Sequence, residues 1–227
     1  MTSHQTRAVI LKHHIYGESD KIVTALTADY GKIRGIAKGA RSSQKRFGAS
    51  LDVGSLVELR FQESPRELFF FQEAVTLVTD ATWRRSLASL TAVSTALEWL
   101  DAFVKDHQLA PEKFLLISHF LETVQAETAL SQLVAFEKEL LIHSGLRLSW
   151  EECVECHDAQ TKGNWRFDPD RGGLLCQRCH GGRGIVVDYS KIKAGDLPLC
   201  QKLLEHAFYV TVGRNLKSAE ALHEFIL

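Results

Sequence analysis

The 227-residue sequence is most informative in what it lacks. It has no run of about 18 uncharged apolar residues, so no segment is expected to span a membrane. Its first twenty residues, MTSHQTRAVILKHHIYGESD, hold neither a long apolar core nor a small-residue cleavage site, which argues against a secretory signal and for a cytoplasmic protein. No phosphate-cradling G-x-x-x-x-G-K-[ST], G-x-G-x-x-G, H-E-x-x-H or G-x-S-x-G motif is present. His13-His14 and Glu151-Glu152 are chain neighbours, which regular structure points apart, and the ten histidines are otherwise scattered. No catalytic constellation emerges, and a protein that is not an enzyme is expected. Five cysteines in a cytoplasmic chain do not make a disulfide framework, because that compartment keeps thiols reduced.

One further absence is local. Residues 31–47, GKIRGIAKGARSSQKRF, contain no carboxylate but carry Lys32, Arg34, Lys38, Arg41, Lys45 and Arg46. The whole chain has a formal charge of −1, so this is a basic arm and not a basic protein. Residues 1–79 hold eleven Lys/Arg against eight Asp/Glu, and residues 80–227 sixteen against twenty, which concentrates positive field in the first third. An ordinary solvated face mixes signs, so an arm without acids points to a polyanion. Nucleic acid is favoured, with acidic protein surfaces and membranes as the alternatives.

The first third reads as strands. Residues 6–12 carry the short apolar run Ala-Val-Ile-Leu, and residues 22–27 are rich in β-branched side chains. A tight connection at Asp29-Tyr30-Gly31 returns the chain through residues 32–38, where Gly35 and Gly39 suit a bulge or barrel corner. Residues 55–61 alternate, with Leu56, Glu58 and Arg60 on one face and Val57, Leu59 and Phe61 on the other. After a turn at Glu63-Ser64-Pro65, residues 67–77 supply a fifth strand. Five short, Gly-bent strands in about 80 residues suit a small closed barrel of the OB type, an oligonucleotide-binding architecture. On this reading Lys32, Arg34 and Lys38 face out of the third strand and Arg41, Lys45 and Arg46 lie on the next loop. Tyr16, Tyr30 and Phe47 are candidates either for base stacking or for the core.

From Asp80 the period becomes helical. Trp83, Leu87, Leu90, Leu97, Leu100 and Val104 form one stripe reaching to about residue 107. A second helix starts at Ala110-Pro111 and is apolar nearly all round, which predicts a central buried helix. A third covers residues 129–144 with Gly145 as its stop; Asp196 caps a fourth and Ser218 a short last one. The expected class is α+β, with a five-stranded barrel at 1–79 and a helical domain at 80–227 interrupted by an insert at about 150–183.

That insert contains Cys153-x-x-Cys156 and Cys176-x-x-Cys179, nineteen residues apart. Each pair lets a tight turn aim two thiolates at one metal, and two turns complete a tetrahedron. The expected ligand set is Cys153, Cys156, Cys176 and Cys179 around one structural Zn²⁺ per chain; four sulfurs leave no open position for catalysis. Residues 165–167 and 172–175 would form a two-stranded ribbon with little core of its own. His157 and His180 are placed at the rim, and Cys200 in the helical core.

Several of these residues recur in a recognisable order: Ala8-Val9-Ile10-Leu11, Tyr16-Gly17-Glu18-Ser19-Asp20-Lys21, Leu26-Thr27, Gly31-Lys32 and Ala37-Lys38-Gly39-Ala40-Arg41. Gly145, Gly172-Gly173, Gly213-Arg214 and Ser218 continue the series. Over essentially its full length the chain resembles the RecO family of bacterial recombination mediators. The resemblance implies an N-terminal OB-fold, a helical C-terminal domain and a zinc-binding insert. It implies binding to single- and double-stranded DNA, annealing of complementary strands, and work with RecR to load RecA on strands coated by single-stranded DNA-binding protein. It carries the DNA contacts to Lys32, Arg34, Lys38 and Arg41, with Lys45 and Arg46 on a loop that varies. A monomer associated with the nucleoid is the expected state. The rival reading is an OB-plus-zinc-ribbon protein that binds RNA or serves transcription; a third is an adaptor for an acidic protein.

Overall fold

The computed structural model describes residues 2–43, 45–63, 68–79, 81–159 and 163–227. The turn expected at Glu63-Ser64-Pro65 falls largely outside the described residues, as does Asp80.

Strands β1 (Ser3–Tyr16), β2 (Asp20–Thr27), β3 (Gly31–Ala37), β4 (Leu56–Gln62) and β5 (Phe69–Thr76) close into a barrel in the order β1-β2-β3-β5-β4. Only β3 and β5 run parallel; the other pairs are antiparallel. β1 is far longer than the segment its apolar run suggested. A bulge between Ile10 and Lys12 bends it, so its first half pairs with β4 and its second with β2, which seals the barrel. Ala8, Ile10, Val23, Ala25, Ile33, Val57, Leu59, Phe61 and Phe71 fill the interior. Gly35 is needed there: a Cβ on it would lie 2.3 Å from the Phe71 ring. Phe47 closes the loop after β3 by entering this core, 1% exposed, so it is not a stacking residue.

The helical domain consists of α1 (Leu87–Phe103), α2 (Pro111–Thr123), α3 (Ala129–His143), α4 (Tyr189–Lys193), α5 (Leu197–Val212) and α6 (Ala219–Phe225). Among the described residues no helix is long and apolar enough to cross a membrane. α1 is shorter than its stripe implied. Trp83 belongs to a separate 3-10 turn at Thr82–Arg85, Leu87 is exposed, and the chain leaves the helix after Phe103. The departure has a cause: residues 104–107 run beside β3, where the His107 amide donates to the Lys32 carbonyl at 2.8 Å. α2 is not buried all round, since Leu115 is 60% exposed while Phe114, Ile117, Phe120 and Leu121 face the core. Asp196 caps α5 through the Leu199 amide at 2.9 Å. Ser218 does not cap α6; its hydroxyl donates to Glu98, whose carboxylate also accepts from the Lys217 amide and from Arg214.

An apolar cluster and an ionic contact help to fix the barrel to the helices. Val9, Leu11, Leu26 and Leu56 on the outside of the barrel join the same apolar cluster as Leu100, Phe114 and Leu133. Beside them, Asp101 at the end of α1 accepts from Lys12 at 2.7 Å and pairs with Lys32 at 3.3 Å.

The insert is a three-stranded sheet of order β7-β6-β8, formed by β6 (Trp165–Asp168), β7 (Gly173–Leu175) and β8 (Ile185–Val187). β8 and α4 are too short for a periodic signal and went unforeseen. Trp165, Phe167, Leu174, Leu175 and Tyr189 form its small core with Cys153 and Cys176, against Leu203 and Ala207 of α5.

Candidate nucleic-acid interface and metal centre

Alternation on β3 puts residues 33, 35 and 37 inside the barrel and residues 32, 34 and 36 outside. An outward position is not always a wet one. Lys32, expected on the open face, is buried beneath the helical domain, its side chain only 9% exposed. Its ammonium donates to the Asp101 carbonyl at 2.9 Å and pairs with Asp101 and with Asp106 at 3.4 Å. Lys32 is therefore a strut between barrel and helices, and the solvent-facing position expected for it on β3 does not hold.

Arg34 and Lys38 do stand in solvent, and Arg41, Lys45 and Arg46 continue the exposed cationic strip into the loop. Two of the loop arginines also brace it. Arg41 donates through Nη1 to the Glu18 carbonyl at 2.7 Å, and Arg46 through Nη2 to the Lys38 carbonyl at 2.9 Å. Each keeps further N–H groups for an outside acceptor, because a guanidinium carries five. The nearby Asp20 is occupied: its carboxylate accepts from the Gly39 amide, which holds its pKa below the ordinary carboxylate value.

The strand register arranges the rest of this face. His14 on β1, Ile22 on β2, Ile36 on β3 and Phe70 on β5 are successive cross-strand partners, and so form one row on the barrel exterior. Lys12, Thr24 and Arg34 form the row on one side. Lys38, next to β3, lies on the other side and holds its ammonium 5.5 Å from the centre of the Phe70 ring. Tyr16 is 55% exposed at the β1–β2 hairpin. Tyr30 lies elsewhere, edge-on to Phe61 and bonded to His4 at 3.1 Å. Sequence reasoning missed Phe70, since in Leu68-Phe69-Phe70-Phe71 nothing tells which ring faces out.

The four cysteines of the insert meet at one point, all four sulfurs lying within 4.8 Å of one another. Cys156 and Cys176 have their sulfurs 3.6 Å apart, far beyond the roughly 2.05 Å of a disulfide. It is close to the roughly 3.8 Å that separates thiolates at ~2.3 Å from a tetrahedral metal. The Cys153 turn is closed by the His157 amide on the Cys153 carbonyl at 2.9 Å, the Cys176 turn by the Cys179 amide on the Cys176 carbonyl at 2.9 Å. Burial pushes the Cys153 thiol up, but backbone N–H groups of Cys176, Cys156 and Glu155 bring it down to about 6. Cys179 is pushed up to about 12, first by its hydrogen bond with Cys156 and then by burial. A divalent metal bound there would replace the thiol protons. Arg178 offsets part of the remaining negative charge, 3.9 Å from Cys156 Sγ and 3.0 Å from Asp158. The two histidines turn away: His157 to Glu152 at 2.9 Å, and His180 to the Gly182 amide at 2.8 Å. Cys200 is buried among the helices.

A closed OB-type barrel with an open cationic face, joined to a helical domain that carries a four-cysteine centre able to hold a metal ion, defines the class of protein. Comparison with known families places it within that class. The model described as "Recombination protein O N terminal" matches residues 1–79, and "Recombination protein O C terminal" matches residues 84–218. The chain belongs to the RecO family. A protein of Anaeromyxobacter sp. (strain Fw109-5) named DNA repair protein RecO is 35% identical over 174 residues, covering 75% of this chain and 68% of that one. Its namesake in Anaeromyxobacter dehalogenans (strain 2CP-C) is 34% identical over 199 residues, 87% of this chain and 77% of the relative. In Geobacter metallireducens the figure is 35% over 184 residues, 79% and 73% of the two chains.

Proposed function

We propose that this chain is a DNA-binding recombination mediator in DNA repair, which binds single and double strands and anneals complementary ones. The observation that carries the reading is the strip of exposed cations Arg34, Lys38, Arg41, Lys45 and Arg46 on and after β3 of an OB-type barrel. Contacts of this kind act on phosphates, so affinity is high at low salt and nearly independent of base sequence. Annealing follows from the same physics. Two strands repel through their phosphates; a cationic face that neutralises part of that charge lowers the repulsion, while base pairing selects the register.

Membership of the RecO family supports the partners: RecR, RecA and single-stranded DNA-binding protein, in a cytoplasmic, nucleoid-associated setting. The work asked of the chain is binding and positioning, not bond breaking. The metal is proposed to be Zn²⁺, because four sulfur donors at tetrahedral spacing suit zinc and leave no open position. Cys153, Cys156, Cys176 and Cys179 would hold it. Its role is to fold the insert, whose few apolar side chains form a core too small to stand alone.

The test is annealing of complementary strands coated with single-stranded DNA-binding protein, with and without RecR. Faster annealing with this chain supports the reading. Annealing at the uncatalysed rate, or preference for structured RNA over DNA in competition, contradicts it.

A further inference from the structure

We infer that Phe70 is a base-stacking platform that makes the cationic face selective for strands with unpaired bases. The inference rests on the DNA-binding reading above and adds a substrate distinction to it.

Three features of the face lead there. First, register turns two of the three phenylalanines of β5 inward and one outward. Phe71 packs inside the barrel against Gly35, and Phe69 lies edge-on to Phe61 with its ring 5.8 Å from that of His107. Phe70 alone of the three joins the outer row with Ile36, and the residue is half-buried there. Second, that row is apolar, with buried Ile22 and half-buried Ile36 between exposed His14 at one end and Phe70 at the other. Third, cations bracket the row. Arg34 and Lys38 lie two residues to either side of Ile36 on the same face, roughly 13 Å apart along the chain. Lys38 rests its ammonium near the Phe70 ring, so ring and charge are positioned together.

A backbone bound to Arg34 and Lys38 would direct its bases onto the row between them. In a single strand those bases are free, and any of the four can stack on a phenyl ring. In a duplex they are already stacked and paired, so only the phosphate contacts remain. The row thus contributes binding that a duplex cannot use. Because stacking on one ring is modest, the bases can leave it to pair, as annealing requires.

The test compares wild type with Phe70→Ala, Phe70→Leu and Phe70→Tyr, by fluorescence anisotropy on three labelled probes: an oligothymidylate, an abasic backbone of equal length and a blunt duplex. Circular dichroism checks each fold, and Phe70→Leu keeps the apolar bulk in case alanine disturbs the strand. Phe70→Ala and Phe70→Leu are expected to weaken oligothymidylate binding about 5- to 150-fold, and Phe70→Tyr to retain it. Abasic and duplex affinities, and the slope of log affinity against log salt, should be unchanged. Oligothymidylate binding by Phe70→Leu equal to wild type overturns the inference, as does an equal loss on all three probes. Neither result bears on whether wild type binds DNA; wild type failing to bind any probe overturns the DNA-binding reading itself.

Discussion

Replacing Asp101 by Asn should loosen the barrel from the helices, by an amount the geometry sets. Asp101 accepts from Lys12 at 2.7 Å and faces Lys32 at 3.3 Å, and Lys32 is nearly inaccessible to water. Truncating one partner of a fully buried pair costs about 3–5 kcal/mol, whereas an exposed pair is worth about 0–1. Lys32 would keep the Asp101 carbonyl and the exposed Asp106, so an intermediate loss of about 2 kcal/mol is expected. For a chain of this length that corresponds to a melting temperature lower by about 4–8 °C. The sign with pH is also fixed. Burial pushes the Asp101 carboxyl up, but the Lys12 and Lys32 ammonium groups outweigh it and leave the pKa below the ordinary value. A depressed carboxylate stabilises above its unfolded pKa, so the gap between wild type and Asp101→Asn should be constant from about pH 6 to 8 and shrink below about pH 4. Thermal unfolding followed by circular dichroism at several pH values reads both effects. A variant within about 0.5 kcal/mol of wild type at pH 7, or a gap that persists in acid, would refute the strut.

Glu137 gives the opposite pH behaviour. It is fully buried on α3 with Gln201 Nε2 at 3.2 Å, and burial holds its carboxyl well above the ordinary range. The folded carboxyl keeps its proton to higher pH than the unfolded one, so stability present below the ordinary carboxylate pKa falls as pH rises; Glu137→Gln should raise the urea midpoint at pH 7.5 and leave it unchanged at pH 4. Gly35→Val would drive a methyl-bearing carbon into the Phe71 ring, and a loss of about 1–3 kcal/mol in chemical denaturation is expected. Stripping the metal with a chelator should red-shift the emission of Trp165, which is buried in the insert core, and free four thiols to a colorimetric reagent. Metal analysis of untreated protein should find one zinc per chain; a value well below that contradicts the four-sulfur site.

How much of this was legible in the sequence depended on whether a pattern was local. The alternation of Leu56 to Phe61 and the β-branched run after Ile22 marked strands, because side-chain period follows directly from pleat. The cysteine spacing marked the four-sulfur cluster equally well, since two tight turns need only local geometry. Lys32 failed because alternation tells which side of a strand a residue is on, and not what covers that side. The helical domain covers it, and the contact with Asp101 spans 69 residues. The burial of Phe47 and the outward position of Phe70 were illegible for a related reason: an aromatic in an irregular loop or a Phe-Phe-Phe run has no parity of its own until the barrel closes and fixes the register. The break between Trp83 and α1 was hidden because a 3-10 turn followed by a helix imitates one longer stripe.

The central claim is that the strip after Lys32, and not Lys32 itself, meets the phosphates. Its most direct test is the salt dependence of single-strand binding in folded variants. Each phosphate contact contributes a slope of about −0.7 on a log–log plot, so Arg34→Ala, Lys38→Ala and Arg41→Ala combined should flatten it by about 2. Lys32→Met should leave the slope as in wild type. An unchanged slope in the triple variant, or a flattened one in Lys32→Met, would contradict the account.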